Sequence, residues 1–228
     1  MRLSVIMSVF NAEETLEESI ESILNQTFKD FELLICNDAS TDTSSKIIKR
    51  FKDKDTRIKM FENTVNIGLT KSLNTLIKNS QGTYLARQDS DDISLNYRFQ
   101  YQLEYFKKYD CDFVLSRARL KNSNKLIPRF SHNIPASIVI KKKNPFIHGT
   151  LMIKKTTLNK VGNYNENFLY AQDYKLFLDL IERGIRFKHI REPLYILNTK
   201  NNISSNKKEL QNYYAKCARE KIIPIEKY

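Results

Sequence analysis

The apolar positions of the first ninety residues follow two periods in alternation. Leu3–Val9 is an apolar run of strand length, broken only by Ser4 and Ser8. Glu13–Gln26 instead sets Leu16, Ile20, Ile23 and Leu24 on one helical stripe, with acidic residues in the first turn where the helix dipole favours them. Phe31–Cys36 returns to the strand pattern, and Asp42–Phe51 places Ile47, Ile48 and Phe51 on one helical face. Arg57–Glu62 reads as a third, shorter strand. Leu69, Leu73, Leu76 and Ile77 then mark a helix closing at Asn79–Gly82, and Thr83–Arg87 is a fourth strand. Such alternation predicts βαβ units, hence an α/β fold with a Rossmann-like, mostly parallel sheet flanked by helices.

Beyond Asp92 the pattern loosens. Arg98–Lys108 reads as helix, Asp112–Ala118 as strand, and Lys121–Asn144 as irregular and basic. Thr150–Ile153 is a candidate strand and Lys155–Val161 a short helix. Gln172–Arg183 is a firm helix, with Leu176, Phe177, Leu180 and Ile181 facing inward and Gly184 as its stop. The expected organisation is a single domain over 1–197, with a first half (1–106) and a smaller second half (107–197). Residues 198–228 form a tail with only a weak helical signal.

Composition narrows the class. The chain has 228 residues, 41% hydrophobic and 28% charged, with five Gly and five Pro, which excludes disordered and fibrous chains. Cys36, Cys111 and Cys217 show no Cys-x-x-Cys spacing and cannot all pair, so no disulfide framework or structural zinc is expected. No apolar run reaches the roughly 18 residues of a membrane span, and the first ten residues read as a strand rather than a leader. The expected location is the cytoplasm. Charge is uneven: residues 107–160 carry 13 basic and 2 acidic side chains, net +11, while the whole chain is net +12. That asymmetry suggests an anionic partner for the middle segment: lipid headgroups, a phosphorylated substrate or nucleic acid.

Ligands of open parallel sheets bind beyond the carboxyl ends of the strands. Here those ends lead into Phe10-Asn11, Asn37-Asp38-Ala39-Ser40-Thr41-Asp42, Asn63-Thr64-Val65-Asn66-Ile67-Gly68 and Gln88-Asp89-Ser90-Asp91-Asp92. Each alone is explicable as turn or cap chemistry; four on one edge suggest a nucleotide site. Three carboxylates within Asp89–Asp92 repel one another unless a cation neutralises them, and hard oxygen ligands select Mg²⁺ or Mn²⁺.

These segments, with Ser22-Ile23-Leu24-Asn25-Gln26-Thr27, resemble glycosyltransferase family 2, over residues 1 to about 195 in the right order. The resemblance implies the GT-A fold and inverting, metal-dependent transfer from a nucleotide-sugar, a UDP-sugar being expected. The acceptor would be a glycan or lipid-linked hydroxyl in cell-envelope polysaccharide or lipooligosaccharide synthesis. It also implies roles. Val9 and Phe10 would line the base, Asp38 would contact uracil or ribose, and Asn66, Gly68 and Gln88 would border the nucleotide. Asp89 would lie on the ribose side and Asp91 on the metal. Ala171-Gln172-Asp173-Tyr174 looks like the family's Glu-Asp-Tyr, making Asp173 the catalytic base with Gln172 in the Glu position. His148, in Pro145–Thr150, would lie on the acceptor side.

Two other readings are weaker. A phosphohydrolase using an Asp-x-Asp nucleophile would carry that motif after the first strand, not the fourth. A nucleic-acid-binding module would use 107–160, where aromatics interleave with lysines, yet no nucleic-acid motif accompanies them, so no nucleic-acid partner is expected. The chain also lacks Trp, and with it the Gln-x-x-Arg-Trp motif of processive polymer synthases.

Overall fold

The computed structural model describes residues 2–128, 134–199 and 207–225. β1 (Leu3–Val9), β2 (Phe31–Asn37), β3 (Ile58–Glu62) and β4 (Tyr84–Arg87) pair in parallel in the order β3-β2-β1-β4. They are joined by α1 (Leu16–Leu24), α2 (Ser44–Lys54) and α3 (Leu69–Asn79). All seven residues of β2 are buried. A strand covered on both faces is mostly apolar, which is why it reads as a run rather than an alternation, and its buried Glu32 is paired with Lys59 and accepts from Ser4 Oγ.

The second half extends the same sheet. Its elements are β5 (Ile93–Ser94), α4 (Arg98–Lys108), β6 (Phe113–Leu120), β7 (Leu126–Ile127), α5 (Ala136–Val139), β8 (Met152–Lys154), α6 (Lys155–Val161), α7 (Gln172–Glu182), β9 (Phe187–Leu197) and α8 (Lys208–Glu220). β8 runs antiparallel to both β4 and β6, and β6 runs parallel to β9. The two sheet faces bury separate cores. Ile6, Leu34, Leu85 and Phe113 pack under α3, α6, α7 and α8, while Val5, Met7, Leu33 and Val114 pack under α1, α2 and α4. The period-2 alternation of side chains along β1 and β6 divides them this way.

Three segments differ from the sequence expectation. Lys121–Asn144 is not wholly irregular, since it contains β7 and α5. β9 has no counterpart in the expectation: Lys188, Arg191, Glu192 and Pro193 interrupt its apolar pattern. It forms nonetheless, because its register on β6 shifts on either side of the Arg117–Pro193 pair, leaving Arg191, Glu192 and Leu194 outside the ladder. The 208–220 stretch is a full helix burying Tyr214, Cys217 and Ala218. Gln211 accepts the Ala171 N–H at 3.1 Å and Lys221 pairs with Glu182 at 2.9 Å, so α8 lies along α7 in the same direction. Its own apolar stripe is narrow, and tertiary packing supplies what propensity lacks. The remainder of the 198–228 tail beyond Asn198, Thr199 and residues 207–225 lies outside the described residues.

Candidate functional site

The edge expected to hold the nucleotide is built from the first three strand ends. Val9 is buried and its carbonyl accepts the Asp38 N–H at 2.8 Å, so Phe10, 49% exposed, is the side chain presented outward. Asp38 is also buried. Its Oδ1 accepts hydrogen bonds from Asn63 Nδ2 at 2.8 Å and the Ile67 N–H at 2.9 Å, and its Oδ2 accepts one from the Gly68 N–H at 2.8 Å. A carboxylate has about four acceptor positions, so most of Asp38 holds the 63–68 loop in place. That loop leaves Asn66 exposed at the edge, its Oδ1 accepting the Gly68 N–H at 3.1 Å. Gly68 opens α3 at φ 87°, a left-handed conformation that disfavours any side chain.

Gln88 departs from expectation. It is fully buried, and its amide is spent inside the protein. Nε2 donates to Ser19 Oγ at 3.0 Å and to the carbonyls of Asp89 and Asp92, while Oε1 accepts from Ser94 Oγ and Arg98 Nη1. Its side chain shapes the acidic loop from beneath instead of bordering the nucleotide. The same underpinning continues outward. Asp89 N–H donates to Tyr195 Oη at 3.1 Å, Ser19 Oγ donates to the Asp89 carbonyl at 2.8 Å, and the Asn198 N–H donates to Asp92 Oδ1 at 2.7 Å. Gly149 has to be glycine, because a Cβ there would lie 2.4 Å from Tyr195 Oη.

The charges on this loop do not balance. Arg87, buried, pairs through Nη2 with Asp89 Oδ1 at 2.5 Å and also donates to the Gln88 carbonyl. Among the described residues Asp91 has no such partner. Burial first, then the Asp89 carboxylate, pushes its pKa up to about 6, and burial with both neighbouring acids holds Asp92 well above the usual carboxylate range. Among the described residues no three or more His, Cys, Asp or Glu side chains converge as a ready-made metal cage. One or two carboxylates in an electron-rich, all-oxygen setting fit a divalent cation of the Mg²⁺ type, whose other ligands come from phosphate and water.

The residues expected on the acceptor side lie within electrostatic reach of Asp89. Ala171, at φ 51°, turns the chain into α7 and places Asp173 in its first turn. Burial raises the Asp173 pKa, the Asp89 carboxylate adds to the rise, and the Tyr174 N–H and the Asn144 amide hold it down. Gln172 is buried beside it. His148 Nε2 sits 2.6 Å from Tyr164 Oη, and burial, then the Arg87 charge, brings its pKa down to about 3, so the ring is neutral. His148 is therefore a hydrogen-bonding group at physiological pH and not a cation. Asp91, His148 and Asp173 form one cluster within electrostatic reach of the Asp89 carboxylate. Arg87, Asn144, Tyr164 and Tyr195 are additional members. Only Arg87 had a visible signal, a charge in an otherwise apolar buried strand.

The glycosyl transferase family 2 profile matches residues 4–177. The chain is 35% identical over 199 residues to the putative glycosyltransferase EpsE of Bacillus subtilis, covering 85% of this chain and 72% of that protein. It is 35% identical over 224 residues to the O-antigen biosynthesis glycosyltransferase WbnJ of Escherichia coli, covering 95% and 85%. It is 32% identical over 183 residues to the E. coli UDP-Glc:alpha-D-GlcNAc-diphosphoundecaprenol beta-1,3-glucosyltransferase WfgD, covering 79% and 70%. Among solved structures, S. aureus TarS in complex with UDP-GlcNAc superposes with a TM-score of 0.76 at 20% identity, over 89% of this chain and 60% of that one. Mannosyltransferase PcManGT from Pyrobaculum calidifontis, in complex with GDP-Man and Mn²⁺, gives 0.77 at 19%, over 99% and 65%. The fold is thus that of the GT-A glycosyltransferases, and the chain belongs to glycosyl transferase family 2 as a bacterial-type glycosyltransferase.

Proposed function

We propose that this glycosyltransferase moves a sugar from a UDP-sugar, with inversion, onto a hydroxyl of a glycan or lipid-linked acceptor in cell-envelope polysaccharide or lipooligosaccharide synthesis. The observation that supports the proposal is that the Asp89 carboxylate lies near enough to both Asp91 and Asp173 to raise their pKa values. Phe10, Asn66 and Gly68 border the nucleotide, with Asp38 fixing their loop and Asp89 on the ribose side. Asp91 holds a divalent cation, Mn²⁺ or Mg²⁺, which when bound supplies Lewis-acid neutralisation of the leaving diphosphate. Asp173 takes the proton of the acceptor hydroxyl as it attacks the anomeric carbon from the face opposite the leaving group. The similarity to WfgD, a UDP-Glc:alpha-D-GlcNAc-diphosphoundecaprenol glucosyltransferase, supports both the donor class and the acceptor class.

Calorimetric titration tests the donor half. UDP is expected to bind in the presence of Mn²⁺ and to bind much more weakly in its absence, with GDP, CMP and ADP as controls. Asp91→Asn is expected to remove the metal-dependent part. Equal UDP affinity in wild type and variant, both in Mn²⁺, rules out Asp91 as the metal ligand. No nucleotide binding under any condition rules out the proposal. GDP preferred over UDP corrects the donor, since a GDP-sugar occupies the same fold in PcManGT.

The basic segment 107–160 gives the chain a second contact, with an anionic membrane. No helix among the described residues is long and apolar enough to cross a membrane, so the contact is peripheral. Ile138, 58% exposed, and Ile134, 47% exposed, precede the exposed Lys141, Lys142 and Lys143. Residues 129–133 of the segment lie outside the described residues. Each lysine near an anionic surface contributes about 1 kcal/mol. Sedimentation with phosphatidylserine vesicles is expected to fall with salt and to drop roughly 100-fold in a Lys141→Gln, Lys142→Gln, Lys143→Gln variant, the size three such losses predict. Salt-independent binding, or none, excludes this surface.

A further inference from the structure

Asp173 is held by a residue that no motif marks. Asn144 follows Lys143 and precedes Pro145 and Phe146, both buried. Phe146 is wedged among aromatic rings, with centroids 4.9 Å from Phe177, 5.4 Å from Phe187 and 6.5 Å from Phe113. The backbone at this point is therefore anchored in the core. The Phe146 N–H donates to Asn144 Oδ1 at 3.0 Å, and Asn144 Nδ2 donates to Asp173 Oδ2 at 2.8 Å. Because a backbone N–H can only donate, the amide oxygen has to face Phe146, and the NH₂ group has to face the carboxylate. Amide orientation is here dictated by both neighbours at once.

We propose that Asn144 is a positioning residue for Asp173: its amide fixes the carboxylate in its ionised form and occupies one oxygen. The remaining lone pairs then face the acceptor hydroxyl. This rests on Asp173 being the base. The need for such a donor is evident in the groups around Asp173. Burial and the Asp89 carboxylate both oppose ionisation. Arg87 is engaged by Asp89. Tyr164 is bonded to the neutral His148 and offers no charge. From α7 only the N–H groups of Tyr174 and Asp173 itself favour the anion, and from α8 the Arg219 guanidinium lies over the Tyr174 ring at 5.9 Å instead of reaching the carboxylate. Asn144 is the one side chain in the set that donates to it. Its place directly after Lys141–Lys143 also ties the proposed membrane surface to the base through a single peptide segment.

Asn144→Asp separates positioning from loop structure. The new carboxylate keeps an acceptor for the Phe146 N–H but loses the donor and sets a second acid beside Asp173. The readout is the ¹³C-carboxyl NMR titration of Asp173, assigned by its absence in Asp173→Asn. In Asn144→Asp the two acids titrate as a pair, and the upper step is expected about one pH unit or more above the wild-type midpoint. In Asn144→Ala the midpoint is expected to move the same way by a smaller amount. A loop-only role predicts a lower melting temperature with an unmoved midpoint. An unmoved midpoint in folded Asn144→Asp and Asn144→Ala proteins overturns the proposal. Retention of wild-type transfer by Asp173→Asn is a different failure, that of the base assignment itself, and leaves the titration result standing as a structural fact.

Discussion

Asp173→Asn is expected to lower kcat by about 10²–10⁴-fold, the size of contribution a positioned general base makes, while leaving metal-dependent UDP binding within about twofold of wild type. The second half of that expectation follows from where Asp173 sits. It belongs to α7, on the core face shared with α3, α6 and α8, whereas the proposed nucleotide edge is formed by the ends of β1, β2 and β3. Asn is nearly isosteric and keeps an oxygen for the Tyr174 N–H, so the local fold is retained. It cannot accept a proton. The raised Asp173 pKa gives the transfer an acid limb, since only the ionised form is a base. Transfer by wild type is expected to fall as pH drops through that pKa, which lies above the ordinary carboxylate value. Steady-state kinetics with the donor identified by calorimetry, together with UDP titration of the same variant, test both halves. Unchanged kcat removes Asp173 from the chemistry, and loss of UDP binding makes it a structural residue of the donor site.

Arg98→Met is expected to cost about 3–5 kcal/mol of stability, as breaking a buried charged network does. Arg98 is fully buried. Nε donates to Gln102 Oε1 at 3.0 Å. Nη1 donates to Gln88 Oε1 at 3.2 Å and Ser94 Oγ at 2.8 Å, and Nη2 donates to the Arg87 carbonyl at 3.0 Å. The guanidinium also lies 5.0 Å from the Tyr195 ring centroid. Burial lowers its pKa only to about 10, so it stays charged. Met fills the volume but strands those acceptors, and the stranded acceptors are the larger part of the cost. For a chain of this size the loss corresponds to roughly 6–20 °C in melting temperature. Gln88 and Ser94 flank the acidic loop, so metal-dependent UDP affinity is expected to weaken in the same variant. A melting temperature within about 2 °C of wild type means that the network contributes little.

The parallel half of the sheet was legible because its information is local. β1 matches the expected run end to end, α3 and α4 match theirs, and α6 does too. The acidic loop was legible for the same reason, three carboxylates lying within four residues. Gln88 was misplaced because a strand end in sequence looks the same whether its side chain points into the cleft or beneath it. β9 was missed because its partner β6 ends 67 residues before β9 begins, and pairing between strands so far apart leaves no mark in either one. Asn144, Tyr164 and Tyr195 belong to the cleft only through contacts across distant elements, and their sequence surroundings are those of ordinary loop and strand residues.

What the sequence by itself determined is the βαβ frame, the four polar strand ends and the family. These depend on hydrophobic period and on short runs of chemistry-bearing residues, both of which are properties of neighbours along the chain. What only the tertiary structure decided is which polar groups face the cleft and which carry it from below. Asp38 and Gln88 are turned inward to hold loops, Arg98 and Tyr195 brace the acidic loop from α4 and β9, and Asn144 meets Asp173 from 29 residues away. A buried polar group has to find its partner wherever the fold brings one, and the fold, not the spacing in sequence, chooses that partner.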